Sequence, residues 1–381
     1  MDLQLPPDSA GVLPAQWIRK AAAAGVIRSR YTIEDRSVQP ASLDLRLGEK
    51  AYRLRCSFLP GSETVTDKLA DLAMGELDLR DGAVLEQNRP YLIPLLEDLE
   101  LPQGLSAKAN PKSSTGRLDL FTRVITDRSY KFDEIPPGYN GTLYLEVVSR
   151  SFTVKVQTGL SLNQLRLVAG HAALDDVAVR SGHDGSPLVW FGDDPVPADQ
   201  LVVSRGLLLS LDLTGPDGLV GYRAKKNSQL IDLSRIGHYE ADEFWEPVHA
   251  DRKRRIVLEP EEFYLLLSRE GVSVPPSLAA EMTAYDPTSG ELRTHYAGFF
   301  DPGFGFSAPS GGPGSRAALE VRAHDVPFMI EHGQRVCTLT YERMLEMPDV
   351  LYGATSSHYQ FQTQALSKHF RPTQSRRNDN P

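Results

Sequence analysis

Lys112-Ser113-Ser114-Thr115-Gly116-Arg117 is followed by Val124-Ile125-Thr126-Asp127, then by Pro136-Pro137-Gly138-Tyr139-Asn140-Gly141, and then by Thr142-Leu143-Tyr144-Leu145-Glu146-Val147. The first piece is short, small and cationic, as a loop that cradles phosphates must be. Ser113 and Ser114 bring hydroxyl donors, Gly116 lets a backbone come close, and Lys112 and Arg117 bring positive charge. The last piece alternates and is β-prone, which predicts a strand from Thr142 to Val147. Glu146 lies between Leu145 and Val147, so its side chain leaves the opposite face. A carboxylate in the middle of an apolar strand is costly unless it is paired, hydrogen-bonded or used chemically.

Taken together, K-S-S-x-x-R, P-G-Y-x-G and L-E-V, in that order, resemble the trimeric dUTPase/dCTP deaminase superfamily. Pro40-Ala41-Ser42-Leu43-Asp44-Leu45-Arg46-Leu47-Gly48 resembles the deaminase branch. The resemblance covers residues 13–168 well, with a weaker copy over much of the rest. It implies a mainly β fold of two tandem dUTPase-like distorted barrels or jelly rolls with a few short helices.

The second copy emerges from an internal repeat. Ser42-Leu43-Asp44-Leu45 recurs as Ser210-Leu211-Asp212-Leu213, an offset of 210 − 42 = 168. Leu101-Pro102 recurs as Val274-Pro275 (274 − 101 = 173), and Ser113…Arg117 recurs as Ser289…Arg293 (289 − 113 = 176). Leu145-Glu146-Val147 recurs as Leu319-Glu320-Val321, and Gly159 as Gly333, both at 174 (319 − 145; 333 − 159). Offsets that drift by a few residues over the whole length indicate duplication with small insertions. We read residues 1–200 as the first copy, 201–370 as the second and 371–381 as a disordered tail.

The copies differ in complementary ways. The second-copy loop reads Asp286-Pro287-Thr288-Ser289-Gly290-Glu291-Leu292-Arg293, whose acids would repel a triphosphate. That copy keeps Asp301-Pro302-Gly303-Phe304, whereas the first has Ile135-Pro136-Pro137-Gly138 where the family usually carries I-D-P-G. Asp127, Asp133 and Glu134 are candidates for the missing aspartate. Either one site is built from both halves, or one copy is catalytic and the other a scaffold. We expect a competent first-copy loop, with the second copy lending walls.

By the resemblance, the activity is conversion of dCTP and water to dUTP and ammonia. Glu146 would shuttle the proton, and Ser113 and Arg117 would polarise and position the water and ring. Lys112, Ser114 and Arg117 would contact phosphates. Asp127, Tyr144, Leu145, Asp301, Glu320, Tyr359 and Gln362 complete the implied binding set, the last two from a C-terminal segment that folds over the triphosphate. Zinc deaminases pair H-x-E with P-C-x-x-C. Here Cys56 and Cys337 stand alone and the nine histidines form no ligand pair, so no protein-bound metal or zinc is expected. Magnesium would arrive with the nucleotide. A bifunctional deaminase/dUTP diphosphatase and a non-catalytic nucleotide sensor are the alternatives.

Composition fits a soluble globular protein: 381 residues, 41% hydrophobic and 24% charged. The net charge of −9 argues against nucleic acid or anionic membrane as partner, so an anionic ligand must meet a local basic cluster. No signal peptide or transmembrane run is read, and two isolated cysteines suit a reducing cytoplasm. The family implies a homo-oligomer, trimeric or pseudo-trimeric, with dCTP and dUTP as ligands and dTTP as an inhibitor. Elsewhere, a helix is expected from Pro14 to about Ala24 and a loop-rich insertion over residues 58–81. Asp44 and Arg46 are expected on a solvated or salt-bridged face.

Overall fold

Alternation of apolar and polar residues produces strands almost throughout the computed structural model, which describes residues 3–6, 8–284, 292–294, 298–307, 312–323, 325–354, 359–362 and 364–372. In the first copy one sheet runs Ala73–Asp78, Lys50–Leu54, Pro90–Glu100, Asn140–Ser149, Leu120–Ile125, with Ile27–Ser29 added to Pro90–Glu100. The second runs Gly11–Val12, Ser161–Ala169, Leu105–Pro111, Glu134–Ile135, with Leu43–Arg46 paired to Ser161–Ala169. Leu43, Leu45, Ile93, Leu145, Val147, Leu165 and Leu167 meet in one buried core.

The second copy repeats this plan. Phe263–Val272 pairs with Ser315–Ala323 as Pro90–Glu100 pairs with Asn140–Ser149. Leu278–Ala284 pairs with Arg335–Arg343 as Leu105–Pro111 pairs with Ser161–Ala169. Its own core gathers Leu207, Leu209, Leu266, Leu319, Val321 and Leu339. The fold is mainly β and duplicated. No helix among the described residues is long and apolar enough to cross a membrane.

The N-terminal helix spans Ala15–Ala23 behind Pro14 and buries Trp17, Ile18 and Ala21. Other expectations need correction. The insertion holds a helix, Val65–Leu72, started by a capping box between Thr64 and Asp67, and an exposed edge strand, Ala73–Asp78. Of the two settings expected for Asp44 and Arg46, the structure shows the salt-bridged one. Arg46 donates from its backbone N–H and its guanidinium to buried Glu97, both at 2.7 Å, and Asp44 grips Lys112. Ser210 meets Glu270 as Arg46 meets Glu97, so the true offset at this strand is 210 − 46 = 164. The repeated S-L-D-L letters are therefore four residues out of structural register. The repeat's loop, residues 286–291, and the terminal 373–381 lie outside the described residues.

The two copies are joined by buried charge. Arg166 of the first copy, fully enclosed, donates to Glu342 at 3.0 Å and Asp301 at 3.1 Å in the second. Lys108 reaches Glu342 at 2.9 Å and Glu281 at 3.2 Å. Burial alone would raise the Glu342 carboxyl, but Arg166 and Lys108 outweigh it and hold its pKa below the ordinary value. Removing one partner of such a set strands the others in low dielectric. Arg166→Met is therefore expected to lower unfolding free energy by about 3–5 kcal/mol, read as a fall in the urea midpoint.

Candidate active site

The strand Leu105–Pro111 ends at a proline, and Lys112 then starts a single helical turn, Ser113–Gly116. Thr115 and Gly116 both return backbone hydrogen bonds to the Lys112 carbonyl, which holds the turn closed. This loop forms one wall of a cavity of about 460 Å³. The opposite wall comes from the second copy: Phe299, Phe300, Asp301, Phe304 and Glu320. Lys112, Ser114, Arg36, Asp44 and Lys368 lie where this cavity meets a neighbouring one of about 320 Å³. One side is thus apolar and aromatic, and the other basic.

Glu320 is the strand-centre carboxylate of the second copy. Leu319 and Val321 point into the second core, and Glu320 points away, across the interface. It reaches the first-copy loop so closely that a Cβ built on Gly116 would lie 2.6 Å from its Oε1. Only glycine leaves that space. Burial pushes the Glu320 pKa well above the ordinary value, opposed by Arg117 and reinforced by Asp119.

Arg117 is also buried. Its guanidinium donates to Gln362 Oε1 at 2.7 Å and to the carbonyls of Ala365 and Leu366, and lies 3.8 Å from the Tyr359 ring centre. Burial draws its pKa down from the usual guanidinium value. The C-terminal segment is anchored further by Ser367, whose hydroxyl donates to the Ser114 carbonyl at 2.9 Å. Asp301 accepts from Arg166 and, at 3.3 Å, from Ser42, and burial raises its pKa.

Of the residues singled out from sequence, the cavity brings together Lys112, Ser113, Ser114, Arg117, Asp301, Glu320, Tyr359 and Gln362. Four others stand elsewhere. Glu146 is buried against Arg123, its cross-strand partner, at 2.5 Å, and Arg123 stacks 3.6 Å from the Phe132 ring. Asp127 accepts from the Val65 N–H at the start of the insertion helix. Tyr144 packs in a small cluster with Val65 and Leu92, and Leu145 is in the first core. The first-copy strand carboxylate is therefore held by Arg123 away from the loop, and the strand-centre carboxylate that reaches the loop is Glu320.

Sequence reasoning missed Asp44, Gln164 and Lys368, and the aromatic wall. Alternation puts Asp44 on the face opposite to Leu43 and Leu45, and nothing singled out Gln164. What alternation lacked was knowledge that this face looks onto the other copy.

Two family models match the chain. The N-terminal domain model of 2'-deoxycytidine 5'-triphosphate deaminase covers residues 9–171, and the C-terminal domain model covers 179–370. The chain belongs to the dCTP deaminase family. A crystal structure of 2'-deoxycytidine 5'-triphosphate deaminase from Agrobacterium tumefaciens is 49% identical, with a TM-score of 0.84 over 91% of this chain and 99% of that one. A "dCTP deaminase, dUMP-forming" from Sulfurihydrogenibium sp. is 25% identical over 155 residues, 81% of its length but 40% of this chain. A "dCTP deaminase" from Halorubrum lacusprofundi is 30% identical over 135 residues, 63% of its length and 34% of this chain.

The contact between Gly116 and Glu320 gives a direct test in this family setting. Gly116→Ala inserts a methyl where the carboxylate rests, and a displacement of about 1 Å can cost on the order of 10²-fold in turnover. The expected result is a folded protein, by circular dichroism, with that loss in kcat.

Proposed function

We propose that the chain hydrolyses dCTP to dUTP and ammonia, with Glu320 as the proton shuttle in a site composed from both copies. The observation that carries this is the buried Glu320 carboxylate set against Gly116 and Arg117 in a cavity with a basic end. Water adds through oxygen to C4 of the cytosine ring while Glu320 takes its proton. Glu320 passes that proton to N3 of the ring, then takes the proton of the new C4 hydroxyl and delivers it to the departing nitrogen. The C4–N bond breaks, ammonia leaves, and a carbonyl forms at C4. A pKa raised by burial makes Glu320 a stronger base toward water than an ordinary carboxylate, and the acid so formed returns the proton. The Ser113 hydroxyl and the Arg117 guanidinium hold water and ring.

Lys112, Ser114 and Lys368 receive the triphosphate, with magnesium carried as part of the substrate. Among the described residues no group of three or more His, Cys, Asp or Glu could hold a metal ion. We assign water activation to the Glu320 carboxylate, which the glycine-sized space at residue 116 lets reach the loop. The apolar wall of Phe299, Phe300 and Phe304 takes the pyrimidine face, and Asp301 the sugar.

Purified protein incubated with dCTP and magnesium, with and without a transition-metal chelator, is expected to yield dUTP and ammonia at the same rate. Glu320→Gln should lower kcat by about 10²–10⁴-fold, whereas Glu146→Gln should retain the turnover of the parent per folded molecule. The reverse pattern would return the shuttle role to Glu146. Several relatives carry the name "dCTP deaminase, dUMP-forming", which makes further hydrolysis of dUTP the second reading. Release of dUMP and pyrophosphate in the same assay would establish it.

The pH dependence has a definite sign. Below its pKa Glu320 is protonated and takes no proton from water, so kcat/KM falls as pH drops through that value. Burial raises the pKa, so the acidic limb should lie above the ordinary glutamate range. A limb at the ordinary value would contradict a buried shuttle.

A further inference from the structure

Two residues beyond Arg117 in one copy and two beyond Glu320 in the other stands a second pair of opposite charges. Asp119 follows Arg117 in the first copy, and Arg322 follows Glu320 in the second. Their side chains form a buried ion pair across the copies. Glu320 and Arg322 lie on the same face of one strand, two residues apart. Asp119 is held in the left-handed region (φ 54) and accepts from the Ser151 hydroxyl. Its N–H donates to the Gly116 carbonyl at 2.8 Å, the glycine on which the Glu320 carboxylate rests. Arg322 is fixed in turn by the Glu261 carbonyl.

The pair occurs once in the duplicated sequence. At the offset of 174 Arg322 corresponds to Val148 (322 − 174), and strand pairing sets Arg293 against Arg322 as Phe121 against Val148, an offset of 293 − 121 = 172 at which Asp119 corresponds to Glu291 (119 + 172). The second-copy sequence therefore keeps an acid at that loop position, while the Glu146 strand has valine where the Glu320 strand has arginine. The cation is the half that is not duplicated. The clasp sits only where a loop and a strand-centre carboxylate must be brought into register.

We propose that Asp119 and Arg322 are a positioning pair that sets the reach of Glu320 to the Gly116–Arg117 turn and balances the field at its carboxyl. This rests on the assignment of Glu320 as the shuttle. Arg117 and Asp119 from the loop act on the Glu320 carboxyl, Arg322 stands two residues along on the same strand face, and Glu261 lies 3.8 Å from Arg322. Removing one half of the clasp leaves the other's charge uncompensated beside Glu320. A bare Asp119 disfavours the Glu320 carboxylate, and a bare Arg322 favours it.

The test compares kcat, KM and the acidic limb of kcat/KM for dCTP in full-length Arg322→Met, Asp119→Asn, Arg322→Lys, the Asp119→Asn/Arg322→Met double variant and Glu320→Gln. Asparagine tolerates the left-handed backbone at 119, so Asp119→Asn keeps the turn. Arg322→Met should move the limb to higher pH and Asp119→Asn to lower pH. Each should lower kcat by at least about tenfold, and a misplaced reacting group can cost on the order of 10²-fold, with KM little changed. Arg322→Lys should restore much of kcat, and the double variant should bring the limb back toward that of the parent while kcat stays low. A purely structural pair would give losses without opposite limb shifts. Limbs that stay fixed or move the same way, with Glu320→Gln inactive, overturn the clasp alone. Full turnover in Glu320→Gln overturns the shuttle assignment and the clasp together.

Discussion

A carboxyl group with almost no exposure rests on the turn that carries an equally buried guanidinium, and the two belong to different copies of one duplicated domain. Neither charge is tolerable in the interior by itself. Their placement requires the copies to be docked with near-atomic register, and the surrounding chemistry serves that docking. Arg166 bridges Asp301 and Glu342, Lys108 adds Glu281, and the tail supplies carbonyls and an aromatic face to Arg117. The interface and the cavity are one construction.

Duplication lets each copy lose what the other provides. The first keeps the cationic loop, and its own strand-centre glutamate has become a salt-bridge partner of Arg123. The Phe58-bearing insertion then closes over that region, with Ser57 accepting from Arg123 at 2.8 Å and Leu69 and Leu72 packing beside Tyr144. The second keeps the aspartate-bearing turn at Asp301. There Gly303 adopts a φ of 98° in a place where a Cβ would lie 2.9 Å from the Tyr352 nitrogen. An identical L-E-V triplet thus stands in two chemically unlike settings, one against Arg123 and one against the Gly116 turn.

Much of this was legible in the residues. Alternation at Leu145-Glu146-Val147 and Leu319-Glu320-Val321 told correctly which way each glutamate leaves its strand, and the repeat exposed the duplication. The loop residues Lys112 to Arg117 and the tail residues Tyr359 and Gln362 were recognisable by type and order, and the cavity gathers them. Which glutamate faces the loop was not legible, because facing is a property of how two domains dock and both copies carry the same three letters. Arg123 offered a hint, since it sits directly across from Glu146 once the strand register is known, but register is itself a long-range fact. The insertion helix was marked by Thr64-Val65-Thr66-Asp67, a capping signal overlooked among polar residues. The four-residue misalignment of S-L-D-L shows the opposite hazard, in which short similar strings outweigh pairing partners.

Ala365, Leu366 and Phe370 belong to the hydrophobic core of the first copy, more than two hundred residues behind them in the chain. Ala224, Phe244 and Trp245 join the same core from the second copy. A nascent chain that has emerged only through the first copy therefore has its cationic loop but an unfinished interior beneath it. Residues 365–370 must return to the first copy before either its core or the Arg117 environment is whole. Synthesis through Phe370, rather than folding of an early domain, is what completes the cavity that Arg117 lines.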